Sequence, residues 1–177
     1  QAYEAMQNAF SKDDTVFFVV TAKNGEIFCR EVFEALAYLT EESWKLPFVL
    51  RVDSLSNFQR VWADEDDLYV RPLIEDPATA TQEDFARAKE AAFLEDLLVN
   101  RLLKPGSPVT GVNLLVQIPE TVVNGGGQLT REAERLARQT AERFPAVSVA
   151  VTGIIPLNDA FRSATIKDLQ TLVPIML

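Results

Sequence analysis

The sequence predicts an α+β fold, and three observations carry that prediction. Short runs rich in β-branched and aromatic residues alternate with longer runs of helical period. Two of the helical runs are closed by a proline, Pro47 and Pro145, that leads into a strand-like run. Between the two β-α-β units so formed lies a mixed segment, Asp53 to Ser107, that belongs to neither.

Thr15 to Ala22 (TVFFVVTA) opens the first unit and closes at the turn signal Asn24-Gly25. Its unbroken apolar character predicts a central strand buried on both faces. From Arg30 to Leu46 the period changes, with Phe33, Leu36, Ala37, Thr40 and Trp44 on one helical face. Phe48 to Val52 is the second strand. In the inserted segment, Ser54-Leu55-Ser56-Asn57 is loop-like and Phe58 to Trp62 reads equally as a short helix or a strand. Ala63 to Asp67 is an acidic turn, and Leu68 to Leu73 a strand. Thr81, with Asp84 three positions on, is the cap of a helix expected to run to about Leu103. Ala91, Leu94, Leu98 and Leu102 would form its apolar face, and Lys104-Pro105-Gly106 would end it.

Val109 to Ile118 is the third core strand, followed by Asn124-Gly125-Gly126-Gly127, read as a flexible loop. The next helix has the clearest period, with Leu129, Ala133, Leu136, Ala137, Thr140, Ala141 and Phe144 on one face and Thr130 as its N-cap. Glu134–Arg138 and Arg138–Glu142 stand at i,i+4 spacing on the outer face. Val147 to Val151 alternates as a fourth strand, Gly153 turns the chain, and Pro156 suits the first turn of a final helix. Two β-α-β units in one antiparallel sheet, with both helices on one face, make a ferredoxin-like sandwich.

Composition narrows the function classes. The chain of 177 residues carries a net charge of −9, with 26 acids against 17 bases. That balance disfavours nucleic acid and close contact with anionic lipid. There is no histidine, which removes the commonest general base and metal ligand. Cys29, the single cysteine, has no partner for a disulfide and reads as a structural residue before a helix. No cofactor is expected. The sequence has no apolar run of membrane-spanning length. Both ends nevertheless read as unfinished: Gln1 starts in mid-pattern, and Leu169 to Leu177 (LQTLVPIML) grows steadily more apolar.

Three ordered segments resemble the resistance-nodulation-division (RND) superfamily, in particular its lipid-exporter branch of MmpL and hopanoid-transporter proteins. The first is Asp13 to Val20 (DDTVFFVV), followed by Ile27-Phe28 and a helix ending at Leu46-Pro47. The second is Val52 to Asn57 (VDSLSN), an acidic turn and Leu68 to Leu73 (LYVRPL); the third is Val151-Thr152-Gly153, a helix and Asp168-Leu169. The resemblance implies the first extracytoplasmic porter loop of an inner-membrane exporter, on the periplasmic side. It implies a helical lead-in over 1–14, a porter domain over 15–153 with its insertion at about 53–107, and a helix over 154–177 leading to the membrane. Missing flanking helices, the remaining domains of the transporter and a periplasmic protein are the implied partners, and a lipid-like molecule such as a hopanoid or sterol the implied cargo. It supplies no catalytic residue, so the expectation is of a transport protein rather than an enzyme.

Four aromatic residues in the insertion, Phe58, Trp62, Phe85 and Phe93, are the candidate substrate contacts. Large apolar side chains in a segment the basic fold does not need either form a core of their own or line an apolar groove. The remaining candidates favour plain readings. Asp64 to Asp67 lacks the ligand spacing of a calcium loop, and Gly125 to Gly127 lacks the lysine–serine sequel of a phosphate loop. Glu132 and Glu134, two apart on a helix, diverge, and no serine sits in a nucleophile elbow.

Overall fold

The computed structural model describes residues 14–64 and 67–175. The expected lead-in helix, apart from Asp14, and Glu65 and Asp66 of the acidic turn lie outside the described residues. The element order is β1 (Asp14–Ala22), α1 (Arg30–Ser43), β2 (Val49–Asp53), β3 (Gln59–Asp64), β4 (Asp67–Pro72), α2 (Gln82–Phe93), β5 (Val109–Val116), α3 (Gly125–Arg143), β6 (Val147–Thr152) and α4 (Ile154–Ile175). The fold is α+β. Strands β2, β5, β1 and β6 form one antiparallel sheet in that order, and β3 and β4 form a separate hairpin.

Each β-α-β unit is split: β5 lies between β1 and β2, and β1 lies between β5 and β6. Register places Val16, Phe18 and Val20 opposite Leu114, Val112 and Thr110, and all six are buried beneath the helices. Helix α1 packs on β2 and β5, α3 packs on β6 and β1, and the two helices meet. Helix α1 turns Val32, Phe33, Ala35, Leu36, Leu39, Thr40 and Ser43 inward. Trp44 is not on that face. It is the C-cap and is 50% exposed, because the helix stops at Ser43, before the chain reaches Pro47.

The expectation that β1 is buried on both faces is corrected. It alternates strictly: Val16, Phe18, Val20 and Ala22 are buried, whereas Thr15, Phe17, Val19 and Thr21 are half-buried on a face that α1 and α3 do not cover. The apolar run was produced by large side chains on both faces. Central position in a sheet does not require two helical layers.

Helix α2 ends at Phe93, not near Leu103. Its buried stripe is Phe85, Ala88 and Ala92, and Leu94 is 78% exposed. Continuing that stripe by one helical period would carry Glu95 and Asp96 onto the core face, which would desolvate carboxylates. The chain instead breaks into turns. Leu98 N–H donates to Glu95 O at 2.9 Å, Leu103 N–H to Leu98 O at 2.9 Å, and Asn100 takes a left-handed φ of 64°. These turns bury Leu98 and Leu103, and Leu103 bridges to Thr110 of β5.

The glycine run is no flexible loop. Asn124, left-handed at φ 62°, is the N-cap, and Gly125–Gly127 form the first turn of α3. A Cβ on Gly125 would stand 2.5 Å from the Ile118 side chain, and one on Gly127 would stand 2.7 Å from Asp159 Oδ1 of α4. Close approach of neighbouring elements, rather than freedom, explains these glycines. Thr130 is therefore inside the helix, buried, donating to Gly126 O at 2.9 Å. Of the expected face, Leu129, Ala133, Leu136, Ala137 and Thr140 are buried, whereas Ala141 is half-buried and Phe144 is the half-buried C-cap beyond the helix. Of its outer charges, Glu132 and Arg135 pair at i,i+3 in place of the expected i,i+4 pairs.

Helix α4 begins directly after Gly153, with Pro156 in its first turn, and packs on α3, β1 and β6. No helix among the described residues is long and apolar enough to cross a membrane.

Candidate functional site

The residues after β2 shape a cleft at the edge of the sheet. Val52 is buried at the end of the strand, and the chain then folds through Ser54 to Asn57. Thr40 of α1 donates its hydroxyl to Ser54 Oγ at 2.8 Å, and Ser56 Oγ lies 3.0 Å from Thr40 and 2.9 Å from Ser54. Asn57 Oδ1 accepts from Ser54 N–H at 2.8 Å, and its Nδ2 donates to Val52 O at 2.7 Å. With Leu55 fully buried in the core, this network pins the turn to α1. Phe58 consequently leaves the turn at a fixed place, partly buried against the core and at the edge of the open sheet face.

That edge holds a cleft of about 630 Å³, within the range of small-molecule sites. Its apolar wall is Phe17 of β1, Phe58, and Leu97 and Leu102 from the turns after α2. The end of the Phe17 ring reaches over Gly111, where any Cβ would collide with it. The glycine thus sets the height of the cleft floor. Arg51, Asp53, Arg101 and Asn113 supply polar lining. Arg51 Nε donates to Asp53 Oδ1 at 2.7 Å.

A second cleft, of about 420 Å³, lies between the β3–β4 hairpin and α2. Trp62 is one wall, stacked on its cross-strand partner Tyr69 with ring centroids 5.5 Å apart and 17° between planes. The Arg60 guanidinium sits 5.4 Å from the Trp62 centroid and 3.5 Å from Glu95. Arg71, Arg87, Asp76 and Asp84 make the remainder strongly charged.

The four aromatic candidates therefore do not form one site. Phe58 lines the first cleft and Trp62 the second. Phe85 is 5% exposed, its ring centroid 5.6 Å from that of Phe33, and Phe93 packs 6.2 Å from Phe28. Both tie α2 to the main core and line neither cleft. Sequence reasoning missed Phe17, Leu97, Arg101 and Asn113. The available signal was Gly111, a glycine within an apolar strand, which marks a place where something approaches the backbone closely.

At the mouth of the second cleft, Thr81 and Asp84 form the expected capping box. Thr81 Oγ1 donates to Asp84 Oδ2 at 2.6 Å, Thr81 N–H to the same oxygen at 2.8 Å, and Asp84 N–H to Thr81 Oγ1 at 3.3 Å. The Thr81 hydroxyl first, then its N–H and the Arg87 guanidinium, lower the Asp84 pKa from 3.8 to about 2. A depressed carboxylate pKa stabilises the fold fully above 3.8, and that contribution is lost as pH falls through about 2. A carboxyl NMR titration is expected to place the Asp84 midpoint near 2, and Thr81→Val to raise it toward 3.8. A wild-type midpoint near 3.8 would contradict the capping geometry.

Cys29 is the N-cap of α1, partly buried. Its thiol donates to Glu26 O at 3.5 Å and accepts from Asn24 Nδ2 at 3.7 Å. Among the described residues no group of three potential metal ligands comes together. No family model matches the chain, and no curated protein matches it either.

Proposed function

We propose that this chain is the first extracytoplasmic porter domain of an RND-type exporter of the MmpL and hopanoid-transporter branch. In this reading the domain stands on the periplasmic side of a bacterial inner membrane, joined to it by flanking helices. It offers a binding surface and a path to a hydrophobic, lipid-like molecule, a hopanoid or sterol being the cargo the resemblance implies. It performs no chemistry of its own. The sheet order β2-β5-β1-β6, with two split β-α-β units and helices α1 and α3 on one face, supports the ferredoxin-like class within the α+β fold.

The observation that carries the functional reading is the first cleft. Its wall of Phe17, Phe58, Leu97 and Leu102 borders the sheet face that α1 and α3 leave uncovered. An apolar wall takes the body of a lipid-like ligand, and the polar half of the lining, Arg51, Asp53, Arg101 and Asn113 among it, orients it. Titrating the full chain with a sterol is expected to give saturable binding, weakened about tenfold by Phe58→Ala, since truncating a central aromatic contact costs on the order of 1–2 kcal/mol. Trp62→Ala, in the charged second cleft, is expected to leave the affinity within about twofold. Identical affinity in wild type and Phe58→Ala would remove the first cleft as the binding site.

A second reading, a protein-docking module without substrate contact, has its own observation. Leu157, Phe161 and Ile166 are exposed on α4. A sister domain of the transporter or a periplasmic protein that saturates the chain, with no lipid bound at all, would favour this reading.

A further inference from the structure

We infer that the first cleft selects an amphiphile with an anionic head, its apolar part on Phe17, Phe58, Leu97 and Leu102 and its charge at Arg101. The inference rests on the cleft being the ligand site proposed above, and it narrows the ligand class from hydrophobic to amphiphilic and acidic. Three charged side chains line the cleft: Arg51, Asp53 and Arg101. The 2.7 Å contact between Arg51 and Asp53 neutralises two of them. Arg101 has no carboxylate within 4.0 Å among the described residues, and its guanidinium keeps its donors free. Asn113, on the open face of β5, lines the same cleft, and its side-chain amide has no hydrogen-bond partner among the described residues. The one carboxylate of the cleft is paired with Arg51, so the charge left without an ion-pair partner among the described lining residues is the Arg101 guanidinium, and the Asn113 amide can add N–H donors. Donors beside an apolar wall recognise an oxyanion carried by a hydrocarbon body.

The chain as a whole carries −9, which opposes an anionic ligand at long range. At about 0.1 M salt the Debye length is roughly 10 Å, so charges farther away are largely screened and the adjacent guanidinium decides the contact. The turn geometry also gives Arg101 its place. It follows Asn100, whose left-handed φ of 64° lets the chain reverse and brings Leu98 and Leu102 to the cleft on either side of it.

The test compares dodecanoate with dodecanol, which share a tail and differ in head charge, by titration calorimetry on the full chain at pH 8. Dodecanoate is expected to bind about five- to tenfold more tightly, the scale of one charge-assisted contact at a solvated rim. Arg101→Gln is expected to close that gap, Arg101→Lys to retain part of it, and Arg71→Gln, in the second cleft, to leave it intact. Arg101 is exposed, so these substitutions leave the core untouched. Equal affinity for the two probes, or a gap that survives Arg101→Gln, would overturn the inference and leave the lipid-cleft reading standing. Acetate binding as tightly as dodecanoate would show a simple anion site and overturn it too. If neither dodecanoate nor dodecanol binds, the inference and the proposed cleft both fall.

Discussion

Gly153→Ala is expected to destabilise the fold by about 3–4 kcal/mol, near the upper end for a single added methyl group. Two separate costs combine. Gly153 has a φ of +122°, a conformation that L side chains rarely adopt, and holding alanine there costs on the order of 1–3 kcal/mol. The new Cβ would also stand 2.5 Å from the carbonyl oxygen of Thr15. That atom is backbone at the start of central strand β1, so it cannot swing aside as a side-chain tip can. Gly25→Ala is the reference for a positive φ without a clash. Gly25 has a φ of +83° but open space around its Cβ position, and the substitution is expected to cost only about 1 kcal/mol. Urea unfolding with the slope unchanged measures both. Equal costs at the two glycines would show that the contact with Thr15 O contributes nothing.

The same position shows what the sequence makes legible. Gly153 was readable as a turn, because a glycine between an alternating strand and a proline-started helix is a local signal. The tightness of the turn against β1 was not, because Thr15 is distant in sequence. This division runs through the fold. The period of α3, the alternation of β6, the prolines after α1 and α3 and the capping box of α2 are local patterns, and each element was found. The run Gly125–Gly127 failed because its partners, Ile118 and Asp159, lie outside α3, and from composition alone three glycines signify freedom. The C-terminal end of α2 failed for a related reason. Leucines at 94, 98 and 102 satisfy a helical period, but the face in contact is set one position away by Phe85, Ala88 and Ala92. Only the packing of that face on the core reveals that Glu95 and Asp96 would follow it inward.

The candidate site was half legible. Residue type pointed to Phe58 and Trp62, and both line clefts. The same criterion chose Phe85 and Phe93, which residue type cannot separate from groove-lining aromatics. Phe17 was invisible for the opposite reason: an apolar strand interior reads as core until one face of the sheet is known to be uncovered. Arg101 had no signal beyond its charge. Its significance comes from Arg51 and Asp53 pairing with each other, a contact between neighbours on β2 that leaves a single cation over.

Phe33→Ala is expected to cost about 4 kcal/mol, within the range for truncating a buried aromatic residue. Phe33 is fully buried on α1, and its ring centroid is 5.6 Å from those of Phe28 and Phe85. Phe28 continues the cluster to Phe93. The cluster therefore joins α1, in the first β-α-β unit, to α2, in the insertion. This arrangement decides between two pictures of the insertion. If it has a core of its own, Phe85→Ala should split unfolding into two transitions and leave the second midpoint unchanged. If it shares the main core, Phe85→Ala should lower one common midpoint, at a cost of about 3 kcal/mol. The geometry favours the shared core, because Phe85 and Ala88 join one continuous buried cluster with Phe33 and Leu36. The double variant then supplies the sharper measurement. Removing both rings of an edge-to-face pair costs less than the two single losses added together, here by about 1 kcal/mol. Strict additivity, or two resolved transitions in wild type, would mean that α2 is only laid against the domain. Coupling of the expected size would make the insertion, and with it the Phe58 wall of the first cleft, part of the same cooperative unit as the sheet.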